Sequence, residues 1–287
     1  AWLDRTLYPF QSRYLDLEGN SIHYIDEGAG PILLFLHASP AWSFLYRNII
    51  TGLRDQFRCI ALDYPGFGLS QAGPGYRNTL TANSRLVERF IQRLGLTDVT
   101  LYVHDASCAI GLGVAGRQPD WFRAAIISSS FAWPLDDYPD IVRFLKIVAS
   151  PFFGLLINNF DFFTRYFVKN LNGGRLSEAE RAAYRGPFRQ RSARRVQQEF
   201  FSSIVQSRDY LIDLEQRLLA LDNLPVLLVY GTEDPAYKAG WLARFQKMFP
   251  RHRSLVLEGA DHFPQEHDPA QIVATIRDWW EKDVVES

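Results

Sequence analysis

The sequence predicts an α/β fold in which a mostly parallel central sheet has helices on both faces and an inserted helical cap. Short apolar runs alternate with helical patterns in residues 31–130 and again in residues 225–280, which is typical of a parallel sheet. Residues 131–221 lack a strand pattern and contain helical segments rich in Phe, Leu and Arg. We therefore expect a core of residues 1–130 and 222–287, and a cap of residues 131–221.

The individual elements follow from local patterns. A Glu-Gly-Asn turn separates two alternating runs between residues 13 and 25, which predicts an opening antiparallel pair. Continuous apolar runs predict central parallel strands at 31–37, 58–63, 99–103, 123–128, 225–231 and 253–257. Helices are expected at 42–50, 80–94, 106–116 and 270–280.

Charge and composition exclude several classes of protein. The 287 residues include 31 basic and 32 acidic side chains, a balance that argues against nucleic acid or an anionic membrane as the main partner. Cys59 and Cys108 do not make a disulfide framework, and no Cys/His cluster has zinc-ligand spacing. We expect no metal and no cofactor, a monomer or weak homo-oligomer, and, since no leader pattern begins the chain, a cytoplasmic location.

The most apolar segment lies in the predicted cap. It runs from Ile141 to Phe163, but Arg143, Lys146 and Asp161 interrupt it too often for a membrane span. A lid over an apolar pocket is the better interpretation, so the expected partners are a small apolar organic substrate and water.

Asp105 lies at the centre of the functional prediction. A β-branched strand ends at His104 and a helix of small residues follows, so Asp105 occupies the strand-to-helix corner. A side chain at that corner protrudes above the carboxyl edge of a parallel sheet, beside the free N–H groups of a helix N-terminus. It is the position of a nucleophile. Ser107 is a competing nucleophile, because residues 105–109 also satisfy a small-x-Ser-x-small pattern.

Two further residues complete a catalytic set. Asp234 follows the strand ending at Gly231, and His262 lies on the loop after the last strand. The chain order nucleophile, acid, histidine is the order required in this type of sheet. Asp234 would orient His262, which would deprotonate the water that hydrolyses an ester on Asp105. The main-chain N–H groups of Ala106 and Ser39 are the expected oxyanion donors.

The nucleophile type predicts the reaction. A carboxylate attacks saturated carbon, so it displaces a halide or opens an epoxide, whereas serine attacks acyl carbon. Attack by Asp105 would leave an alkyl ester on the enzyme.

Several motifs resemble a known family. They are Trp42-Ser-Phe-Leu-Tyr-Arg47, Asp63-Tyr-Pro-Gly-Phe-Gly-Leu-Ser70, Val103-His-Asp105, the cap stretch Leu176 to Phe188, and the histidine loop Gly259 to Glu266. On these motifs the chain resembles the haloalkane dehalogenases of the α/β-hydrolase superfamily over nearly its whole length. The resemblance implies the α/β-hydrolase fold, with Asp105 as nucleophile, His262 as base and Asp234 as acid. Some members take the acid from an earlier strand end, which here reads Ser128-Ser-Ser130.

The chain departs from this family at the leaving-group site. Dehalogenases usually have Trp after the nucleophile, where this chain has Ala106, and Asn or Glu at the position of Ser39. In the family the Trp indole, paired with the Asn amide or with a second Trp from the cap, holds the departing halide. Losing two charge-assisted hydrogen bonds of ~1.5–3 kcal/mol each would slow displacement about a hundredfold or more. The predicted substrate contacts are Trp42, Trp133, Tyr166 and Phe263.

Four functions remain open from the sequence. Haloalkane dehalogenase-like hydrolysis of a small or medium apolar substrate leads. An epoxide hydrolase would need cap tyrosines as acids, and the candidates are Tyr138, Tyr166, Tyr184 and Tyr210. Ester or lactone hydrolysis through Ser107 is a third. The altered Ala38, Ser39 and Ala106 also fit a non-catalytic ligand receptor on a hydrolase scaffold.

Overall fold

A computed structural model describes residues 2–170 and 174–286. In this part of the chain eight strands form one sheet in the order β1-β2-β4-β3-β5-β6-β7-β8. The strands are β1 (Arg13–Leu17), β2 (Asn20–Glu27), β3 (Ile32–Leu36), β4 (Arg58–Leu62), β5 (Val99–His104), β6 (Phe122–Ser128), β7 (Val226–Gly231) and β8 (His252–Leu257). The pairs β1–β2 and β2–β4 are antiparallel, and the other pairs are parallel. The predicted fold class is confirmed.

The helices in the described residues are α1 (Arg47–Leu53), α2 (Leu80–Leu94), α3 (Ser107–Ala115), α4 (Pro139–Ala149), α5 (Pro151–Phe160), α6 (Phe162–Asn170), α7 (Glu178–Arg185), α8 (Arg191–Gln206), α9 (Arg208–Arg217), α10 (Pro235–Lys238), α11 (Trp241–Met248), α12 (Pro264–His267) and α13 (Pro269–Trp279). The expected helix from residue 42 was wrong in its start, because residues 43–46 form a 3-10 turn and α1 begins at Arg47.

Helices cover both faces of the sheet because its inner strands are apolar on both sides. Leu34 and Leu101 belong to one core with α2 and α3, whereas Phe35 and Tyr102 belong to the opposite core with α1 and α13. Helix α3 lies very close to the sheet. A Cβ at Gly111 would come within 2.7 Å of the Leu101 Cδ2 atom, so any larger residue would force the side chains of β5 to shift. Helix α3 begins at Ser107, two residues after Asp105.

Helices α4 to α9 lie between β6 and β7 in the chain, where the sequence predicts a cap. Helices α4 and α5 both pack on α8, and at Gly154 a Cβ would overlap the side chain of Gln198. The boundaries 131–221 for the cap stay a prediction. In the described part of the chain, no helix has both the length and the apolar character that a membrane span requires.

Candidate active site

Asp105 occupies the tight corner between β5 and α3. Its φ of 51° is in the left-handed region, which non-glycine residues rarely adopt, although Asp and Asn tolerate it best. The main-chain N–H of Asp105 donates to the Ser128 carbonyl oxygen at 3.1 Å, and its own carbonyl oxygen accepts from Cys108 at 3.0 Å. These hydrogen bonds hold the strained corner, which exposes the carboxylate above the sheet edge.

Ser107, the competing nucleophile, is fully buried. Its Oγ atom lies 2.7 Å from the Leu36 carbonyl oxygen and 2.8 Å from the His104 carbonyl oxygen, and it accepts the His104 N–H at 2.9 Å. The hydroxyl therefore joins β3, β5 and α3. It is engaged with the main chain and does not line the cavity that contains Asp105.

Asp234 and His262 are brought together by the loops after β7 and β8. The Glu233 N–H donates to the Ala260 carbonyl oxygen at 2.9 Å, and the Gly259 N–H donates to the Thr232 hydroxyl at 2.9 Å. Asp234 caps α10, and its Oδ1 atom accepts the Ala236 N–H at 3.0 Å. The same oxygen lies 3.0 Å from His262 Nδ1. The carboxylate thus fixes the ring so that Nε2 points away from Asp234.

The Nε2 atom of His262 lies 4.0 Å from Asp105 Oδ1. The two side chains retain 17% and 20% of their exposure, and both line one cavity. A gap of 4.0 Å exceeds a direct hydrogen bond and leaves a place where a reacting group can approach both atoms. The structure therefore brings Asp105, Asp234 and His262 into the arrangement that their chain order predicts.

The charges in this group shift each other's ionisation. Burial raises the pKa of Asp105, and this exceeds the opposing effects of His262 and of the Ala106 N–H, which bonds the carboxylate. For His262, burial lowers the pKa, but the charge and hydrogen bond of Asp234 and the charge of Asp105 outweigh it and raise the pKa to about 9. Asp234 is buried, yet His262 holds its pKa below the ordinary value. At neutral pH His262 is therefore protonated and forms an ion pair with the ionised Asp234.

The loop after β3 carries the second oxyanion candidate, Ser39. His37 braces this loop, since its Nδ1 lies 3.0 Å from the Ala38 carbonyl oxygen and its Nε2 accepts the Tyr64 N–H at 3.0 Å. Burial lowers the pKa of His37, which keeps the ring neutral. Ser39 lines the cavity, and its buried hydroxyl has no hydrogen-bond partner among the residues that the structure describes.

His104 packs against His262. Its ring centroid is 4.9 Å from that of His262, and its Nδ1 lies 3.1 Å from the Ser128 carbonyl oxygen. Burial, followed by the charge of His262, lowers the pKa of His104 well below its usual value. His104 thus stays neutral and does not compete for the proton on His262.

The cavity above Asp105 has a volume of about 400 Å³ and is mostly apolar. Its apolar lining comes both from the segment between β6 and β7 and from the segment after β7: Phe131, Leu135, Ile141, Phe144, Leu145, Phe167, Phe201, Ile204, Pro235, Ala236 and Trp241. Its polar lining residues are Ser39, Asp105, Asp234 and His262, together with Asp140 and Tyr166. This shape suits a small or medium apolar molecule held against one carboxylate.

Of the four predicted substrate contacts, Tyr166 lines the cavity and the others do not. We correct Trp42, which is fully buried and whose indole N–H donates to the Ala183 carbonyl oxygen at 3.1 Å. We also correct Trp133, which is fully buried against Phe245 and other aromatic rings. Phe263 borders a neighbouring small void and packs against His104.

Sequence reasoning missed Trp241, which lies on α11 and lines the cavity. Its position seven residues after Asp234 is the signal that could have found it.

Three of the motifs that carry the family resemblance meet in one ion-pair network. Arg47 is buried, and its guanidinium donates to Glu266 at 2.5 and 2.9 Å and to Glu180 at 2.5 Å. The Tyr184 hydroxyl donates to Glu266 at 2.5 Å. Because Glu266 follows His262 by four residues, this network fastens the histidine loop to α1 and to the cap helix α7.

The sequence matches the family model described as alpha/beta hydrolase fold over residues 31–269. The match covers more than half of the chain, and the sheet order and the strand-end positions of the site agree with it. The chain therefore belongs to the α/β hydrolase fold family.

Similarity to individual proteins places the chain more closely within the α/β hydrolase fold family. Haloalkane dehalogenase 2 of Mycobacterium tuberculosis is 36% identical over 275 residues, covering 95% of this chain and 96% of that protein. A cis-3-alkyl-4-alkyloxetan-2-one decarboxylase of Shewanella oneidensis is 28% identical over 284 residues, covering 95% of this chain and 89% of the relative. The crystal structure of a Bradyrhizobium elkani haloalkane dehalogenase shares the fold, with a TM-score of 0.84, 23% identity, and coverage of 97% of this chain and 100% of its own. The predicted similarity to haloalkane dehalogenases is confirmed. The protein is an α/β-fold hydrolase that resembles them.

Proposed function

We propose that this hydrolase forms a covalent alkyl ester between Asp105 and a small or medium apolar substrate, and that His262 then directs its hydrolysis. One observation carries the proposal. The strained corner places the Asp105 carboxylate in an apolar cavity, 4.0 Å from a histidine that a buried carboxylate orients.

The first step is a displacement at saturated carbon. An Asp105 carboxylate oxygen forms a bond to the substrate carbon, while the bond from that carbon to the leaving group breaks and the leaving group keeps the electron pair. The cationic His262 and the Ala106 N–H favour the ionised form of the carboxylate, which is the form that attacks, against the opposing effect of burial. The apolar walls exclude water, which strengthens the attack.

The second step is hydrolysis of the ester. Alkylation removes the negative charge of Asp105, which is one of the groups that raise the pKa of His262, so this pKa falls from about 9. As its pKa falls, His262 releases its proton to solvent. The neutral ring then takes a proton from a water molecule, and the water oxygen attacks the ester carboxyl carbon. The N–H groups of Ala106 and Ser39 stabilise the oxyanion. Collapse expels the alkoxide, which takes the proton from His262.

This mechanism predicts a pH-dependent accumulation of the ester. As the pH falls through the pKa of His262 in the ester state, the base becomes protonated and hydrolysis slows, whereas displacement continues while Asp105 is ionised. We expect the alkylated fraction, read by acid quench and intact mass during turnover, to rise as the pH falls from 9 to 6. An alkylated fraction that is constant over this range would contradict the role of His262 as base.

The leaving-group site can be probed at Ser39. Its hydroxyl is unpartnered and lines the cavity, and the neighbouring Ala106 has no side-chain donor. Ser39→Asn adds an amide N–H for a departing halide, and one such bond of ~1.5–3 kcal/mol corresponds to about tenfold or more in kcat/KM. We expect bromide release from 1,2-dibromoethane to rise by about that factor, with no rise in styrene oxide opening.

Ser39→Ala is the matched control and is not expected to raise bromide release. An equal gain on bromide and epoxide in Ser39→Asn would argue against a halide-specific effect.

Opening of a strained cyclic ester is a second candidate. Two observations favour it. Near Asp105 the cavity has few side-chain hydrogen-bond donors for a departing halide, and one relative is named for an oxetan-2-one substrate. Attack by Asp105 on the saturated ring carbon breaks the ring C–O bond, and the electron pair becomes a carboxylate that stays attached to the substrate. The Ser39 hydroxyl can donate to that carboxylate, and no free halide needs a site.

The remaining candidates fit the geometry less well. Of the four cap tyrosines considered for an epoxide hydrolase, Tyr166 lines the cavity. Tyr138 packs against Trp241 with the ring centroids 5.6 Å apart, Tyr184 bonds Glu266, and Tyr210 donates to the Ala109 carbonyl oxygen at 2.8 Å. A paired tyrosine acid is therefore not formed by these residues. Ester hydrolysis through Ser107 is disfavoured by its burial.

A substrate panel tests the proposal. The wild-type chain is incubated with 1,2-dibromoethane, styrene oxide, a cis-3,4-dialkyloxetan-2-one and a p-nitrophenyl ester, and the products are quantified. Turnover of the bromide or the oxetanone supports the proposal and identifies the leaving group. Turnover of the p-nitrophenyl ester alone, or ligand binding without turnover of any of them, would overturn it.

A further inference from the structure

The outer surface of the cap carries an unusual concentration of exposed apolar side chains. Ten large hydrophobic residues of the described chain are exposed, and six of them fall between residues 144 and 166. We call these six the cap apolar face: Phe144, Ile147, Phe152, Leu155, Phe160 and Tyr166. Phe152 and Phe160 are 72% and 68% exposed, which no packing requirement of the fold explains.

The cap apolar face includes residues of three neighbouring helices, α4, α5 and α6. Helix α5 contacts both α4 and α6. Leu145, Val148 and Ile157 on the same helices are buried, so these helices present apolar side chains to solvent as well as to the interior. The Phe144 and Phe167 ring centroids are 6.3 Å apart, which links α4 to α6 at the edge of the cavity.

The helices that form the cap apolar face also carry basic side chains. Residues 139–170 contain Arg143, Lys146, Arg165 and Lys169 against two carboxylates, Asp140 and Asp161. Asp161 pairs with Arg165 at 3.6 Å and with Arg185 at 3.4 Å. In the part of the chain that the structure describes, Arg143, Lys146 and Lys169 form no ion pair. The net charge of −1 for the whole chain therefore hides a locally basic surface.

The cavity opens beside this surface. Phe144 and Tyr166 are 44% and 50% exposed, and both also line the cavity that contains Asp105. Phe144 and Tyr166 therefore belong both to the cap apolar face and to the wall of the cavity.

We propose that the cap apolar face docks on the surface of an anionic lipid bilayer. Exposed aromatic and aliphatic side chains with unpaired cations on the same short helices are the composition of an interfacial, non-spanning membrane contact. A second copy of the chain fits less well, because a two-fold interface through this patch would bring like charges together. Docking does not depend on catalysis; only the delivery of an apolar substrate to the cavity rests on the proposed function.

Vesicle co-sedimentation tests the docking. The full chain is mixed with vesicles of phosphatidylcholine containing phosphatidylglycerol, or with phosphatidylcholine alone. We expect clear sedimentation with the anionic vesicles, weaker binding to the neutral ones, and loss of binding as salt is raised. Phe152→Ser/Phe160→Ser is expected to weaken binding about tenfold or more, and Arg143→Gln/Lys146→Gln to reduce the preference for anionic lipid.

Two controls make the result decisive. Leu219→Ser changes a side chain that is 77% exposed but lies outside these helices, and it should bind like the wild type. Asp105→Asn should also bind like the wild type, which separates docking from turnover. The proposal is overturned if the wild type stays in solution with both vesicles, or if Phe152→Ser/Phe160→Ser binds as tightly as Leu219→Ser. A dimer in sedimentation velocity that this double variant dissociates, without vesicle binding, would overturn it in favour of a second copy.

Discussion

Replacing Asp105 by Asn is expected to lower turnover of the best substrate in the panel by roughly a thousandfold or more, because the nucleophile is removed. Asn tolerates the φ of 51° at this corner and keeps the shape of the side chain, so the fold should be retained. The measurement is kcat/KM beside a thermal unfolding curve. Turnover within tenfold of the wild type would show that another residue attacks the substrate.

Ser107→Ala provides the matched control for Asp105→Asn, since the two positions are the competing nucleophiles. Removing the Ser107 hydroxyl leaves the Leu36 carbonyl oxygen without its 2.7 Å contact, at a cost of about 1–3 kcal/mol in stability. Activity per folded molecule should stay within about tenfold. The opposite pattern, with Ser107→Ala inactive and Asp105→Asn active, would reverse the assignment.

The second large effect is expected at Arg47. Arg47→Met leaves Glu266, whose side chain is 4% exposed, as a buried carboxylate without its cation. Breaking such a pair by removing one partner costs about 3–5 kcal/mol, equivalent to roughly 5–15 °C in Tm for a domain of this size. Because Glu266 lies four residues after His262, turnover should also fall as the histidine loop loosens.

Two further variants test whether the buried Arg47 network contributes more to stability than an exposed ion pair does. Arg54 and Glu27 form an ion pair at 3.4 Å in which Arg54 is 40% exposed, so Arg54→Met is expected to cost less than about 1 kcal/mol. Arg47→Met/Glu266→Gln replaces the buried Glu266 carboxylate, which would otherwise lack a cation, by a neutral amide. This double variant should recover part of the stability that Arg47→Met loses. Equal Tm shifts for Arg47→Met and Arg54→Met would contradict a special role for the network.

The sheet could be predicted because apolar runs and helical spacing are local properties of the sequence. The relation of Asp105, Asp234 and His262 could also be predicted, since each ends a strand or follows one, and parallel strands present their carboxyl ends at one edge. The start of α1 was missed because residues 43–46 adopt a 3-10 turn, a difference of geometry that hydrophobic periodicity does not report.

The substrate contacts could not be predicted from residue type. Trp42 and Trp133 have the indole donors that a leaving group needs, but tertiary packing places both in the interior. Trp241 lines the cavity because α11 follows the acid loop and packs beneath the cap, a relation that depends on the complete fold. The Arg47 network likewise joins residues separated by 133 and 219 positions, which appeared in the sequence only as separate motifs.

The most direct test of a covalent ester on Asp105 is the intact mass of His262→Phe. The variant is incubated with 1,2-dibromoethane and, separately, with styrene oxide and the oxetanone, and the labelled peptide is mapped. We expect a stable adduct on Asp105 from at least one of them, because displacement does not require the base and hydrolysis does. An adduct on Ser107, or no adduct from a substrate that the wild type turns over, would contradict the mechanism.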